Sequence, residues 1–241
     1  MNMRRYLIMK NRTAIRVIFH RICDLIKVIP IISFLRSRSY SQFWEDRLIA
    51  RLMGKSIGSY VDIGAGTPIW GSNSYYFYKR GWKGVTVDPI EFNILLHKIL
   101  RKNDFQYKAL VSNSSLPITF YELIPWELST TDYSTAMIRV ERGAQLIRQE
   151  TLNVITLSEI YNKVPMIRPA ILSIDVEGAE MDVLLSNEWN KYHPDYICIE
   201  ELESPLYKSD IKNFLEEKQY RLIIYNGVTS IYYWEKSEYK V

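Results

Sequence analysis

The stretch Tyr60-Val61-Asp62-Ile63-Gly64-Ala65-Gly66 decides the fold of this chain, with Val85-Thr86-Val87-Asp88 as its complement. An apolar run carrying one acid breaks into a tight glycine turn. A second apolar run follows and ends in another acid. The first unit builds a floor on which a nucleotide-like ligand can lie close to backbone, and the second offers a carboxylate to both hydroxyls of a ribose. That pairing places an adenosine-bearing cofactor at the carboxyl ends of the first two strands of an α/β sheet. A plain strand–turn–helix connection would also need glycines for positive φ, but it would not need Asp88.

The glycine spacing separates the cofactors. A dinucleotide site calls for G-x-G-x-x-G, and here Ile69 stands at the third position while Gly71 comes two residues late. No G-x-x-x-x-G-K-[ST] phosphate loop is present. A turn without the third glycine suits S-adenosylmethionine, which has no pyrophosphate to cradle.

Outward from this core the pattern alternates. The expected strands are Ser59–Ile63, Gly84–Asp88, Phe105–Val111, Ala170–Ile174 and Tyr196–Ile199. Helices are expected over 73–80, 92–101, 157–161 and 179–186. A helix from Ser41, capped by that serine, turns Leu48, Ile49, Leu52 and Met53 inward. Arg221–Tyr225 and Ser230–Trp234, joined through Asn226-Gly227, read as a terminal hairpin. The expected fold is α/β: a doubly wound, mostly parallel sheet of the Rossmann-like type, closed by a C-terminal antiparallel hairpin with a reversed edge strand. The region with Pro117, Pro125 and Trp126, leading to Leu128-Ser129-Thr130-Thr131, reads as irregular; 114–150 is the candidate region for acceptor contacts.

The chain has 241 residues, enough for one substantial α/β core. Its net charge of +4 hides an asymmetry. Residues 1–40 hold nine Lys/Arg and one acid, a net +8; the rest hold 22 basic and 26 acidic residues, a net −4. The expected organisation is therefore a basic amphipathic arm over 1–40 and a mildly acidic body over 41–241, which disfavours nucleic acid as a partner. In the arm, residues 13–29 read as a helix with Arg12, Arg16, His20, Asp24 and Lys27 on one face. That face suits an anionic membrane surface, reached through residues 1–38, or packing on the body or on a second copy. Charges interrupt every window long enough to span a bilayer, and no small-residue cleavage site follows. Two cysteines, Cys23 and Cys198, make no disulfide framework, and a cytoplasmic protein, peripheral on the inner face of the membrane, is the expectation.

Ligands of such sheets bind beyond the strand carboxyl ends. There the sequence places Asp62, Asp88, the run Asp175-Val176-Glu177-Gly178-Ala179-Glu180, and Glu200-Glu201-Leu202-Glu203. So dense an acidic rim calls for something positive within it. Asp175 can cap the following helix, but Glu200 is then unexplained. Asp175 and Glu200 are candidate ligands for a hard cation such as Mg²⁺, and no Cys/His cluster has zinc spacing. His97 and His193 read as packing or surface residues, so Asp175 or Glu177 is the candidate base.

These motifs resemble the FkbM-type family of S-adenosylmethionine-dependent methyltransferases. The resemblance runs through Ser41-Gln42 with Glu45-Asp46, Val61–Ala65, Gly71-Ser72-Asn73, Gly81–Gly84 leading to Val87-Asp88-Pro89, Leu128-Ser129-Thr130 and Leu172–Glu180, over roughly residues 41–203. It implies a class I methyltransferase fold and O-methylation of a hydroxyl on a saccharide, glycolipid or related metabolite. By position it makes Asp62, Gly64, Ala65, Gly66, Asn73, Asp88 and Ser112 cofactor-binding, and Asp175, Glu177 and Glu200 catalytic. The chain departs from the family in having Asp88 where glutamate is common, a stiff Thr67-Pro68-Ile69-Trp70, and Ser112-Asn113-Ser114 where an acid often stands near the adenine. A nicotinamide-dependent oxidoreductase and a non-catalytic, membrane-recruited binding module are the rival expectations.

Overall fold

The computed structural model describes residues 39–54, 56–201 and 209–239. The amphipathic helix expected over 13–29 and Glu203 of the Glu200–Glu203 run lie outside these residues. Strands β1 (Ser59–Ile63), β2 (Lys83–Asp88) and β3 (Phe105–Lys108) form one half of a parallel sheet. β1 also pairs with β8 (Ala170–Ile174), and β8 with β9 (Tyr196–Glu200). The seven-stranded order is β10-β11-β9-β8-β1-β2-β3, with β10 (Tyr220–Tyr225) and β11 (Thr229–Trp234) as the terminal hairpin. The reversed strand is β11. It sits one place in from the edge, antiparallel to both β9 and β10, rather than at the edge as expected. A two-strand hairpin must seat one arm against β9, and the arm nearest in space reverses.

Alternation along each strand builds two cores. Val61, Ile63, Val85, Val87, Leu172, Ile174, Ile197 and Ile199 face one side. There they meet α5 (Leu157–Lys163), α6 (Glu180–Leu185) and α7 (Asp210–Glu217) through Leu157, Ile160, Val183, Leu184 and Leu215. Tyr60, Ile171, Tyr196, Cys198 and Ile231 face the other. They pack on α1 (Glu45–Met53), α2 (Tyr75–Tyr78) and α3 (Glu91–Leu100) through Ile49, Met53, Tyr76, Phe77 and Leu96. Residues two apart share a face, and the central strands are buried on both sides, as a parallel sheet covered by helices requires.

Two local expectations change. Helix α1 starts at Glu45, not Ser41; the Ser41 hydroxyl instead accepts from the Asp46 N–H at 3.3 Å. The region read as irregular is an ordered lobe. β5 (Ile118–Ile124) and β6 (Gln145–Leu152) pair antiparallel, and between them lie a 3₁₀ turn at Trp126–Leu128 and α4 (Tyr133–Glu141). The Asp132 carboxylate caps α4, accepting from the Thr135 N–H at 2.6 Å. Strand three is split at Ala109: β4 (Leu110–Val111) leaves the main sheet to pair with β7 (Val154–Ile155).

Beneath the β1 turn lies a buried polar knot. Arg101, fully buried, donates to Asp104 at 2.8 Å, to the Tyr60 hydroxyl at 2.8 Å and to Ser74 at 2.9 Å. Tyr60 donates to Asp104, and Ser74 donates to Asp62. Removing one member of a buried ionic cluster leaves the others uncompensated, at roughly 3–5 kcal/mol. Arg101→Met should therefore lower the stability of the domain by about that much in urea unfolding, whereas a loss under 1 kcal/mol would mean the knot is dispensable.

Candidate active site

A cavity of about 780 Å³ opens at the carboxyl edge of the sheet. Its floor is the turn after β1. Gly64 has φ 74°, and a Cβ there would lie 1.7 Å from the Asp175 carbonyl oxygen, so only glycine lets β1 and β8 turn away side by side. The N–H groups of Gly64 and Ala65 donate to the Val87 carbonyl, which ties this floor to β2.

Asp88 closes β2 and lines the cavity. Its carboxylate accepts from the Gly66 N–H at 2.9 Å, the Ile90 N–H at 2.8 Å and the Asn93 amide at 3.1 Å. Burial, partly offset by these bonds, pushes its pKa up to about 7. His97 supports the same turn from α3. It is fully buried, its Nε2 lies 3.2 Å from the Gly66 carbonyl, and burial lowers its pKa to about 3. A neutral ring with the hydrogen on Nε2 donates that bond, so His97 holds backbone in place, in keeping with the packing role expected of it.

Not every expected cofactor residue reaches the cavity. Gly64, Ala65, Gly66, Asp88 and Ser112 line it. Asp62 and Asn73 do not. Asp62 is the fourth residue of β1, so alternation turns it onto the face of α2, where Ser74 donates to it. Asn73 points the same way and donates to the Ser173 hydroxyl at 3.2 Å. Both residues brace the floor from below instead of touching what lies on it.

The second group is acidic. Asp175, Glu177 and Glu200 each bring a carboxylate oxygen within 4.8 Å of the other two. The ends of β8 and β9 place Asp175 and Glu200 on neighbouring strands; Glu177 is swung in by a left-handed backbone, φ 58°. Asp175 does not cap the next helix, as the sequence had allowed. Ala179 stands at the N-cap with no side-chain cap, and Glu180 instead braces the preceding loop, accepting from the Val176 N–H at 3.2 Å and the Gly178 N–H at 3.1 Å, while Asp175 lines the cavity. The protein wall around Asp175 and its acidic neighbours raise its pKa well above the usual range. Glu200 is raised to about 7, first by burial and then by Glu177 and Glu180, and its Oε2 has no partner among the described residues. Three acids this close can share a proton or converge on a hard cation.

Sequence reasoning missed Arg139. From α4 it donates to Glu177 at 2.9 Å and to the Leu128 carbonyl at 2.8 Å. It thereby pins the lobe to the acidic cluster and satisfies one of the three carboxylates. The signal available was Asp132 three residues before Thr135, a cap that announces α4. Also missed was the segment before α1, since Ser39–Gln42 and Trp44 form part of the cavity wall.

The lining is of one sign. Asp88, Glu127, Asp175, Glu177, Asp182 and Glu200 line the cavity, and among the described residues no lysine, arginine or histidine does. A pyrophosphate would meet no cation there. A sulfonium with an α-ammonium group would meet carboxylates, so the residues present fit S-adenosylmethionine.

Glu200 has a measurable cost. Its folded pKa, about 7, exceeds the ordinary 4.5, so from pH 4.5 to 7 the unfolded chain releases a proton that the fold retains. Stability then falls as pH rises through this window, and the full penalty is present above it. Glu200→Gln should melt higher than wild type at about pH 8 and no higher at about pH 4, by scanning calorimetry. A gain equal at both pH values would remove ionisation as the cause.

Among the described residues no helix is long and apolar enough to cross a membrane. None of the curated proteins matches the chain. Solved structures with similar architecture include a precorrin-6y C5,15-methyltransferase from Geobacter metallireducens GS-15. It has 10% identity and a TM-score of 0.43, with 80% of this chain and 87% of that one covered. A methyltransferase from Geobacter sulfurreducens has 12% identity and a TM-score of 0.43, with 86% of each chain covered. An S-adenosylmethionine-dependent methyltransferase from Aquifex aeolicus has 12% identity and a TM-score of 0.39, with 79% and 88% covered. The methyltransferase FkbM domain matches residues 62–222, which span β1 to β10 and include every residue of the acidic cluster, and the chain belongs to the FkbM methyltransferase family.

Proposed function

We propose that this protein is an S-adenosylmethionine-dependent O-methyltransferase acting on a hydroxyl of a saccharide or glycolipid. The observation that carries the reading is that every charged side chain in the cavity's lining is acidic, with no basic side chain among the described residues. It suits a cationic methyl donor and an acceptor whose hydroxyl must lose a proton, and it argues against a nicotinamide dinucleotide. Gly64, Ala65 and Gly66 would pass the cofactor close to backbone, Asp88 would take the ribose hydroxyls, and Ser112 would stand near the base. The bound cofactor supplies an electrophilic methyl group.

The chain's own part is positioning and proton transfer. Orientation of acceptor oxygen against methyl carbon in a closed pocket supplies most of the acceleration. Asp175 and Glu200 hold one proton between them at neutral pH, since two adjacent carboxylates resist ionising together. The ionised member of the pair takes the proton of the acceptor hydroxyl. Glu177, held by Arg139 at 2.9 Å, fixes the cluster's geometry. Arg139 offsets Glu177 and leaves Asp175 and Glu200 to share a proton in this reading; activity that vanishes with chelator and returns with Mg²⁺ would reassign Asp175 and Glu200 as its ligands.

Mass spectrometry of surface glycans and glycolipids, with and without the gene, is the direct test: one class of saccharide should be lighter by one methyl group when the gene is lost. An unchanged glycan profile together with a methylated non-saccharide product would overturn the acceptor class. Asp88→Ala should weaken S-adenosylmethionine binding by about 1.5–3 kcal/mol in calorimetry, the scale of hydrogen bonds to a charged group. Unchanged affinity in a folded variant would take Asp88 out of the site.

The net charge of +8 over residues 1–40 supports recruitment to an anionic membrane carrying lipid-linked glycans. Full-length protein should sediment with anionic vesicles, more weakly as salt rises. Deletion of 1–38 should abolish sedimentation and leave the body folded, because the sheet begins only at Ser59. If the truncated chain aggregates and the full chain ignores vesicles, the arm is instead a packing element.

A further inference from the structure

Trp44 is the wrong residue for its place by every local criterion. It is the N-cap of α1, where serine, aspartate, asparagine or glycine is favoured, and its side chain caps nothing. Its φ of 73° is a conformation that glycine adopts freely and a bulky residue resists. Its indole is 51% exposed, so it adds little to the core. Capping, backbone and burial thus each ask for something else, and such local conflicts concentrate at functional sites.

The segment carrying it is nonetheless held rigidly. Asp46 accepts from the Ser39 hydroxyl at 2.6 Å, the Tyr40 N–H at 2.8 Å and the Ser41 hydroxyl at 3.1 Å. Glu45 accepts from the Phe43 N–H at 2.8 Å and from the Asn226 amide at 3.0 Å. The Tyr40 carbonyl accepts from the Gly71 N–H at 2.8 Å. Both buried acids of the Ser41-Gln42, Glu45-Asp46 motif are spent on this frame. Ser39–Gln42 and Trp44 all line the cavity, and of these the frame's side-chain bonds leave Gln42 and Trp44 unused. Gln42 is exposed, and its amide has no partner among the described residues.

We infer that Gln42 and Trp44 form an acceptor subsite for the ring of an uncharged or aminated saccharide. The inference rests on the saccharide reading above and locates its recognition. An indole offers a flat apolar face to the C–H groups of a pyranose, and its π-face also attracts an ammonium group. The Gln42 amide both donates and accepts, which matches a ring hydroxyl. The acidic side chains of the lining, with no basic one among the described residues, disfavour a phosphorylated or uronic ring. The subsite thus lies on the wall before α1, where the sequence pointed to residues 114–150.

The test uses the full chain saturated with S-adenosylhomocysteine and an array of neutral, amino, uronic and phosphorylated oligosaccharides. Wild type should bind members of the neutral or amino classes. Trp44→Gly is the informative variant, because it removes the indole and gives φ 73° to the residue that adopts it freely. It should melt at or above the wild-type temperature, bind S-adenosylhomocysteine within twofold of wild type, and lose at least tenfold in saccharide binding. Trp44→Phe should retain most of that binding, and Gln42→Ala should lose part of it. Should Trp44→Gly bind the same saccharides as wild type, or should wild type bind acidic saccharides alone, the subsite is wrong while the methyltransferase reading stands. Absence of any saccharide binding by wild type would instead sink the acceptor class itself. A Trp44→Gly protein that melts well below wild type would mark the indole as a structural residue.

Discussion

The buried guanidinium of Arg101 is the constraint on which the site depends. It joins the start of β1 through Tyr60, the front of α2 through Ser74, and the approach to β3 through Asp104. Asp104 also accepts from the Gly84 N–H at 3.1 Å, which adds β2. A glycine is required there, since a Cβ would lie 2.2 Å from the Tyr60 ring. The knot lies below the sheet edge, and the cofactor floor lies above it. A charge that deep survives only when its partners are complete, so the floor cannot tilt without breaking bonds that water cannot replace. Asp62 belongs to this foundation, which is why an acid one residue inside the strand end reads like a ligand and acts like a brace.

Two supports carry the acidic cluster, and they come from different parts of the chain. Strand ends fix Asp175 and Glu200 by register. Glu177 depends on the lobe, through Arg139 and through Thr130, whose hydroxyl lies 3.5 Å from the Glu177 carbonyl. The lobe is thus more than a roof. A change that loosens α4 would release a charge next to Asp175 and alter how readily that group takes a proton.

Much of this was legible from the sequence, for physical reasons. β1 and β8 match their expected bounds because each is a five-residue, mostly apolar run, ended by the Gly64 turn in β1 and by Asp175 in β8. The hairpin was visible because Asn226-Gly227 is a strong turn signal. Asp88 and the trio Asp175, Glu177 and Glu200 were visible because acids at strand ends have few other reasons to be there. The lobe was not legible: β6 runs Gln145-Leu146-Ile147-Arg148-Gln149-Glu150, too polar to announce a strand when only one face is covered. The fate of Asp62 was hidden because it turns on which way one side chain points. The role of Glu180 was hidden because a glutamate beginning a helix can brace the loop before it or face solvent with equal ease.

The contact between Asn226 and Glu45 bridges 181 positions of sequence. The wall in front of α1 is among the first parts of the body to be synthesised, yet one of its fastenings is on the turn between the last two strands. Domains fold as they leave the ribosome, amino-terminal parts first, and contacts between distant positions close late. The cofactor floor, built from β1, β2 and α3, can therefore form while the wall still waits for its clasp. Competence to receive a second ligand arrives only with nearly the whole chain, and a nascent body can hold the first ligand without a finished place for the second.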